Sequence, residues 1–134
     1  MRIVVSAAVI EDHDRYFVTR RQQGAHLEGC WEFPGGKCEE GEPLDVCLRR
    51  ELKEELGATV TIGDEIFAVT HDYPDREVEL HFFACAFLNA PVPLLGQEMR
   101  WVPREELRSL DFPPADDELI EKLLGPPDVR RSDR

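Results

Sequence analysis

One amphipathic segment constrains the fold of this chain of 134 residues more than any other feature. Leucine recurs in it at every fourth position, at Leu44, Leu48, Leu52 and Leu56. This spacing places the leucine side chains along one face of an α-helix. Pro43 suits the first turn of a helix, and Gly57 stands where a helix commonly ends in a left-handed residue. The pattern therefore predicts a helix between Pro43 and Gly57 whose leucine face is buried.

Short apolar runs around this helix predict strands, because they are bounded by polar or glycine-containing turns. Strands are expected at residues 3–10, 16–19, 60–71, 78–88 and 99–102. A second helix is expected at about residues 115–124, after a proline-rich segment. Gly35 and Gly36 predict a sharp turn before the first helix. Strands around one strongly amphipathic helix favour an α+β domain with a mixed sheet.

The composition is that of a folded domain, with 42% hydrophobic and 33% charged residues. We expect one domain over residues 1–125 and a flexible C-terminal tail at 126–134. The net charge of −12 disfavours a nucleic acid polymer as partner, whereas divalent cations would still let the chain bind a small polyanion. No run reaches the roughly 20 apolar residues of a membrane span. We therefore expect a cytoplasmic protein without a membrane partner, either a monomer or a homodimer.

Three acidic residues share one face of the first helix, next to the leucines: Glu51, Glu54 and Glu55. Such a run usually forms a solvated helix face. However, like charges at this spacing destabilise a helix by roughly 0.2–0.5 kcal/mol per pair, and partial burial adds to that cost. A hard cation would offset the repulsion, and Mg²⁺ binds carboxylates while it keeps positions for substrate phosphates. Arg50 can orient one of these acids, and glycine at Gly36 lets a main-chain carbonyl approach the same cation.

The spacing of these residues follows a longer pattern. Gly36 is followed after five residues by Glu42, and after seven more by the run Arg50-Glu51-Leu52-Lys53-Glu54-Glu55-Leu56-Gly57-Ala58. This arrangement resembles the signature of the Nudix hydrolases, G-x5-E-x7-R-E-U-x-E-E-x-G-U, with Ala58 in place of a larger aliphatic residue. The resemblance implies an α/β/α sandwich, in which helices flank a central mixed sheet and one helix carries the motif. It also implies Mg²⁺-assisted attack of water on a diphosphate linked to another group.

Three further segments extend the resemblance over most of the chain: Trp31-Glu32-Phe33-Pro34-Gly35-Gly36-Lys37, Tyr73-Pro74-Asp75-Arg76 and Asp111-Phe112-Pro113-Pro114-Ala115. They are similar to the MutT-type branch of the family, which contains 8-oxo-dGTP diphosphatases and related CTP pyrophosphohydrolases. The implied function is hydrolysis of a nucleoside triphosphate to the monophosphate and pyrophosphate, with 8-oxo-dGTP as the leading substrate. The alternatives are (d)CTP or a modified dCTP, a dinucleotide or nucleotide sugar, and a nucleotide sensor without catalysis.

The resemblance also implies roles for individual residues. The metal ligands would be the Gly36 carbonyl, Glu51, Glu54 and Glu55, with Mg²⁺ as the cation and Mn²⁺ as a substitute. The residues implied in catalysis are Glu51, Glu54, Arg50 and Glu98. Those implied in substrate binding are Arg21, His26, Phe33, Gly35, Lys37, Arg76 and Asp116.

Two positions depart from the MutT-type pattern. Asp116 stands where such enzymes usually carry the asparagine that reads the oxidised guanine, and an ionised aspartate only accepts hydrogen bonds. The base is therefore left open between oxidised guanine and cytosine. Leu95 stands where many relatives have an acid, so Glu98 is either a substitute general base or a surface residue. For His26 the alternatives are a nucleotide contact and a surface histidine. For Phe33 they are stacking on a base and packing in the core beside the sheet.

The cysteines carry no recognisable motif. They are Cys30, Cys38, Cys47 and Cys85. No two of them form a C-x-x-C pair, and no histidine stands at zinc-finger spacing. We interpret all four as small thiols that are mostly buried in the fold.

Overall fold

The computed structural model describes residues 1–125, and within them seven strands form one sheet. The strands are β1 (Arg2–Asp12), β2 (Arg15–Arg20), β3 (Trp31–Glu32), β4 (Gly35–Lys37), β5 (Val60–Tyr73), β6 (Arg76–Phe87) and β7 (Met99–Pro103). The helices are α1 (Leu44–Leu56) and α2 (Asp117–Leu124), with 3₁₀ turns at Arg104–Ser109 and Pro114–Asp116. The predicted strands and both helices are thus present.

Strand β1 lies at the centre of the sheet, in the order β3-β2-β1-β6-β5. Its long first part pairs in parallel with β6. On its other side, β1 pairs antiparallel with β4, and its last residues pair antiparallel with β2. Strands β5 and β6 form a long antiparallel hairpin, and β7 pairs with β2. The sheet is therefore mixed, as predicted.

The two helices cover opposite faces of this sheet. Successive side chains of a strand point to opposite faces, so Ala8 and Ile10 of β1 pack with the leucines of α1, whereas Ala7 and Val9 pack on the side of α2. The core on the α1 side also contains Phe17, Ala58 and Val60, and on the other side Leu119 of α2 packs with Val18, Phe33 and Phe82. The α/β/α sandwich and the α+β class are therefore confirmed.

Helix α1 begins and ends where the sequence predicts. Pro43 is the residue before its first turn, and Gly57 ends it in the left-handed conformation with a φ of 59°. The Gly57 N–H donates to the carbonyl of Lys53 at 3.0 Å, which satisfies one of the carbonyls left free at a helix end. Leu48, Leu52 and Leu56 are all buried. Because its leucines are buried against the sheet, this helix fixes the position of the acidic residues it carries.

The prediction of a sharp turn at Gly35 and Gly36 was wrong, because both residues belong to strand β4 and neither has a positive φ. Gly35 is needed for a different reason. A Cβ atom there would lie 2.1 Å from the carbonyl oxygen of Ser6 on the neighbouring strand β1. Glycine therefore serves a close approach of two strands at this point.

Smaller differences concern the ends of the elements. The turn between β1 and β2 shortens to His13 and Asp14, whose φ values of 51° and 64° fit a tight two-residue hairpin. The second helix starts at Asp117, since the preceding residues form a 3₁₀ turn.

The expected tail at 126–134 lies outside the described residues. Over residues 1–125, none of the helices has the length and apolar character that crossing a membrane requires.

Candidate active site

A cavity of about 330 Å³ opens among strands β1, β3, β4 and β6 and helix α1. Its lining combines glycines, acidic and basic residues and apolar side chains: Val5, Ala7, Arg21, Glu32, Phe33, Gly35, Gly36, Lys37, Glu51, Glu55, Leu80, Phe82, Pro113 and Asp116. The fold thus brings together eight residues that the sequence assigns to the site: Arg21, Phe33, Gly35, Gly36, Lys37, Glu51, Glu55 and Asp116.

The carboxyl group of Glu51 lies directly against the backbone of Gly36. A Cβ atom at Gly36 would come within 2.3–2.5 Å of the three carboxyl atoms of Glu51, so any larger residue would displace that side chain. The Glu51 side chain is 12% exposed, and this burial raises the pKa of its carboxyl above the usual value. Strand β4 and helix α1 therefore form one cradle for this acid.

Glu55 lies one turn further along α1 and also lines the cavity. Burial first, and then the nearby carboxylates of Glu51 and Glu32, together raise its pKa to about 7. A partly buried group of carboxyls carries an electrostatic cost that a divalent cation removes. Oxygen donors from Glu51, Glu55 and the Gly36 main chain are the donors that a hard cation prefers. The residues present therefore fit a divalent metal.

Glu54 and Arg50 lie beside this cavity, outside its lining. The Glu54 side chain is 57% exposed, and its carboxylate is 3.3 Å from Nη1 of Arg50. The Arg50 guanidinium donates two hydrogen bonds of 2.8 Å to Glu42 and one of 3.1 Å to the carbonyl of Lys37. Arg50 thus ties α1 to the loop before it and to strand β4, which agrees with an orienting role.

Arg21 and Glu32 form an ion pair at the cavity wall, with Nε of Arg21 3.1 Å from Oε1 of Glu32. The contact is poorly aligned, so the buried Nε–H has no hydrogen-bond acceptor within the described part of the chain. Glu32 is a cavity residue that the sequence reasoning did not assign. The available signal was an acidic residue between two buried aromatic residues, Trp31 and Phe33.

Asp116 and Phe33 close the other part of the cavity. Asp116 is 3% exposed, and burial raises the pKa of its carboxyl to about 7, with Glu32 adding to the effect. Phe33 stacks on Phe112 with ring centroids 5.4 Å apart and meets Phe82 edge-on. Phe33 is therefore part of the core and also lines the cavity, so the two alternatives offered for this residue are compatible.

Besides Arg50 and Glu54, three further residues assigned from sequence lie outside the cavity lining. Glu98 has a 63% exposed side chain that pairs with Arg20 at 3.0 Å. His26 is exposed; its carbonyl accepts a hydrogen bond from Arg21, and its ring packs edge-on against Tyr73. Arg76 pairs with its neighbour Asp75 at 2.9 Å. For Glu98, this position matches the surface alternative considered above.

Comparisons with known proteins identify the family. The family model of the NUDIX domain matches residues 5–122. The chain is 33% identical to the 8-oxo-dGTP diphosphatase of Escherichia coli K12 over 124 residues, which cover 91% of this chain and 96% of that protein. It is 31% identical to the CTP pyrophosphohydrolase of the same strain over 124 residues, covering 92% of each protein.

Solved structures of similar proteins agree with this family assignment. The solution structure of the Escherichia coli ORF135 protein matches with a TM-score of 0.81 at 30% identity, covering 99% of this chain and 93% of that one. The MutT crystal structure from Methanosarcina mazei Go1 shares the fold, with a TM-score of 0.82 at 22% identity and coverage of 99% and 96%. Proteins of this family generally need a divalent metal, and the carboxyls of Glu51 and Glu55 fit one. The chain therefore belongs to the Nudix hydrolases, enzymes that act on phosphoric anhydride bonds.

Proposed function

We propose that this enzyme hydrolyses nucleoside triphosphates to a nucleoside monophosphate and pyrophosphate, with 8-oxo-dGTP as its main substrate. The cation would be Mg²⁺, for which Mn²⁺ substitutes. The observation that carries the proposal is the lining of one cavity, which combines Glu51 and Glu55 of α1 with Arg21 and the buried Asp116. Removal of an oxidised nucleotide would protect the precursor pool for DNA replication.

The metal would be held by the Gly36 carbonyl, Glu51 and Glu55, with Glu54 completing the ligand set from the adjacent helix face. Bound there, it supplies positive charge that neutralises the phosphates and lowers the pKa of a water molecule. The Arg21 guanidinium would pair with a phosphate oxygen, and Lys37 adds a second positive charge at the cavity wall. Such reactions depend mainly on positioning and on charge stabilisation.

Glu51 is the proton acceptor in this proposal. Its carboxyl lines the cavity, held against Gly36, and burial raises its pKa above the ordinary value of a glutamate. Glu98, the other candidate, pairs with Arg20 on an exposed loop. Arg50 acts through Glu42 and the Lys37 carbonyl to hold α1 in place, which makes it a positioning residue.

Asp116 supports oxidised guanine as the base. Because the pKa of Asp116 is raised to about 7, a substantial share of the molecules carries a protonated carboxyl at neutral pH. A protonated carboxyl both donates and accepts hydrogen bonds, as the amide of asparagine does. Asp116 can therefore replace the asparagine of the MutT pattern. The ionised form only accepts, and it suits the exocyclic amine of cytosine as well as the N1 and N2 edge of guanine. This makes (d)CTP or a modified dCTP the second candidate.

Product analysis tests the reaction directly. The purified protein is incubated with 8-oxo-dGTP and Mg²⁺, and the products are separated by anion-exchange chromatography. We expect 8-oxo-dGMP and pyrophosphate in equal amounts, and none with a Glu51→Gln variant. Release of inorganic phosphate and a diphosphate would contradict the proposed bond cleavage. Binding of nucleotide without turnover would support the sensor alternative.

A further inference from the structure

Two cysteine side chains lie close together next to the proposed metal site. Cys38 directly follows strand β4, and Cys47 lies in the second turn of α1. Their sulfur atoms and a carboxylate oxygen of Glu42 all lie within 4.8 Å of one another. Both thiols are free. The pair therefore links the strand that carries Gly36 with the helix that carries the acidic residues.

The two thiols differ in accessibility. Cys47 is fully buried, with an exposed fraction of 0%, and its thiol donates to the carbonyl of Gly36 at 3.6 Å. Cys38 is half-buried. Burial raises the pKa of both thiols, so exposure rather than thiolate character distinguishes them. A dissolved oxidant therefore reaches Cys38 first, and Cys47 is placed to react with it afterwards.

A thiophilic cation could also use two thiols and a carboxylate. In this structure, however, both oxygens of Glu42 already accept hydrogen bonds of 2.8 Å from Arg50. Cation binding would compete with that ion pair. Disulfide formation makes no demand on Glu42, since it joins only the two sulfur atoms.

We propose that Cys38 and Cys47 form a disulfide when the enzyme meets a peroxide, and that this bond fastens strand β4 to helix α1. The site depends on the position of the two sulfurs alone, so it does not depend on which nucleotide the enzyme hydrolyses.

The chemistry balances in two steps. Peroxide transfers one oxygen to the sulfur of Cys38, which becomes a sulfenic acid, and the peroxide is reduced to water or an alcohol. The sulfur of Cys47 then attacks the sulfur of Cys38, the S–O bond breaks, and the hydroxide leaves as water with the proton of the Cys47 thiol. The net change is the loss of two hydrogen atoms from the protein.

The disulfide would close a short loop between residues 38 and 47, which contains Glu42. Closing such a loop restricts the unfolded chain. From that restriction we expect the melting temperature to rise by about 5–10 °C, with reversal by dithiothreitol.

The experiment treats the full chain with hydrogen peroxide in the absence of metal, alkylates the remaining thiols under denaturing conditions, and maps peptides by mass spectrometry. We expect the four alkylatable thiols of the reduced protein to fall to two, with one peptide joining Cys38 to Cys47. Melting curves are recorded before and after reduction. Cys38→Ser should abolish both the link and the shift, whereas the matched variant Cys85→Ser should retain both.

Several results would overturn the proposal. These are a link to Cys30 or Cys85, oxidation of Cys38 to the sulfinic acid without a link, or a linked protein that melts no higher than the reduced one. Protection of both thiols from alkylation by Zn²⁺, reversed by a chelator and accompanied by no peroxide-induced link, would identify a cation site instead. Because peptide mapping uses the unaltered chain, the test stands even if the Cys38→Ser variant does not fold.

Discussion

Both carboxylate oxygens of Glu42 accept a hydrogen bond from Arg50, and both bonds measure 2.8 Å. This two-pronged contact joins the loop before α1 to the middle of the helix. The same guanidinium donates to the carbonyl of Lys37, so it also holds the end of strand β4. Arg50 thereby fixes the position of Gly36 relative to Glu51, although it does not itself line the cavity.

Arg50→Lys should therefore weaken catalysis without removing a metal ligand. Lysine keeps the charge but lacks the planar fork that binds both oxygens of Glu42. Residues that support metal ligands typically contribute 10- to 100-fold to activity, and we expect a fall in kcat/KM of about that size. The matched control is Arg49→Lys, whose guanidinium bonds to the carbonyl of Val60 instead. Equal losses in both variants would contradict the positioning role.

The same ion pair predicts an acid-dependent loss of stability. Hydrogen bonds from Arg50 hold the pKa of Glu42 at about 2, below its ordinary value of 4.5. A carboxyl with a lowered pKa stabilises the fold fully above about pH 4.5, and this contribution is lost as the pH falls toward 2. Glu42→Gln should therefore flatten the fall in urea midpoint between pH 5 and pH 3. The exposed control Glu118→Gln should keep the slope of the parent, and an unchanged slope in Glu42→Gln would refute the assignment.

The proposed metal ligands can be tested by binding as well as by activity. Glu51→Gln and Glu55→Gln each remove a charged oxygen donor from the cavity. We expect kcat/KM to fall by more than about 100-fold, beyond the range of merely supporting residues, and Mn²⁺ affinity, followed by electron paramagnetic resonance, to fall with it. Glu118→Gln again serves as the control. Wild-type Mn²⁺ binding in both variants would place the metal elsewhere.

Burial of Asp116 predicts that its contribution to stability changes with pH in the opposite direction to that of Glu42. Its pKa in the folded state is about 7, above the ordinary value of 3.8. The folded protein therefore binds a proton that the unfolded chain has lost, and stability decreases as the pH rises between these two values. Asp116→Asn removes this loss, so its stability relative to the parent should rise by roughly 2–4 kcal/mol from pH 4 to pH 8. Asp117→Asn, at an exposed neighbour, should show no such rise in chemical denaturation.

Helix α1 could be predicted from sequence because its periodicity and both end residues agree. The leucine spacing fixed which side is buried, and Pro43 and Gly57 marked the limits. What the helix pattern could not show is how the acidic residues divide between cavity and solvent. Glu51 and Glu55 line the cavity, whereas Glu54 turns toward Arg50, and this division depends on where strand β4 crosses the helix.

Other features depended on contacts between distant segments. Gly35 lies in a strand because it pairs with Ala7 of β1, and its local sequence does not report a pairing with so distant a segment. Glu32 enters the site because strand β3 pairs it with Thr19 of β2, within reach of the Arg21 side chain. The contact between Cys38 and Cys47 likewise follows from the packing of β4 against α1, which no cysteine spacing motif would reveal.

The most direct test of the proposed function compares kcat/KM for 8-oxo-dGTP, dGTP, CTP and dCTP in Mg²⁺, at a pH near 7. We predict at least a tenfold preference for 8-oxo-dGTP over dGTP, which corresponds to about 1.4 kcal/mol of transition-state binding, and a lower value for both cytosine nucleotides. A higher kcat/KM for CTP or dCTP would contradict the assignment of oxidised guanine and would make a cytosine nucleotide the substrate.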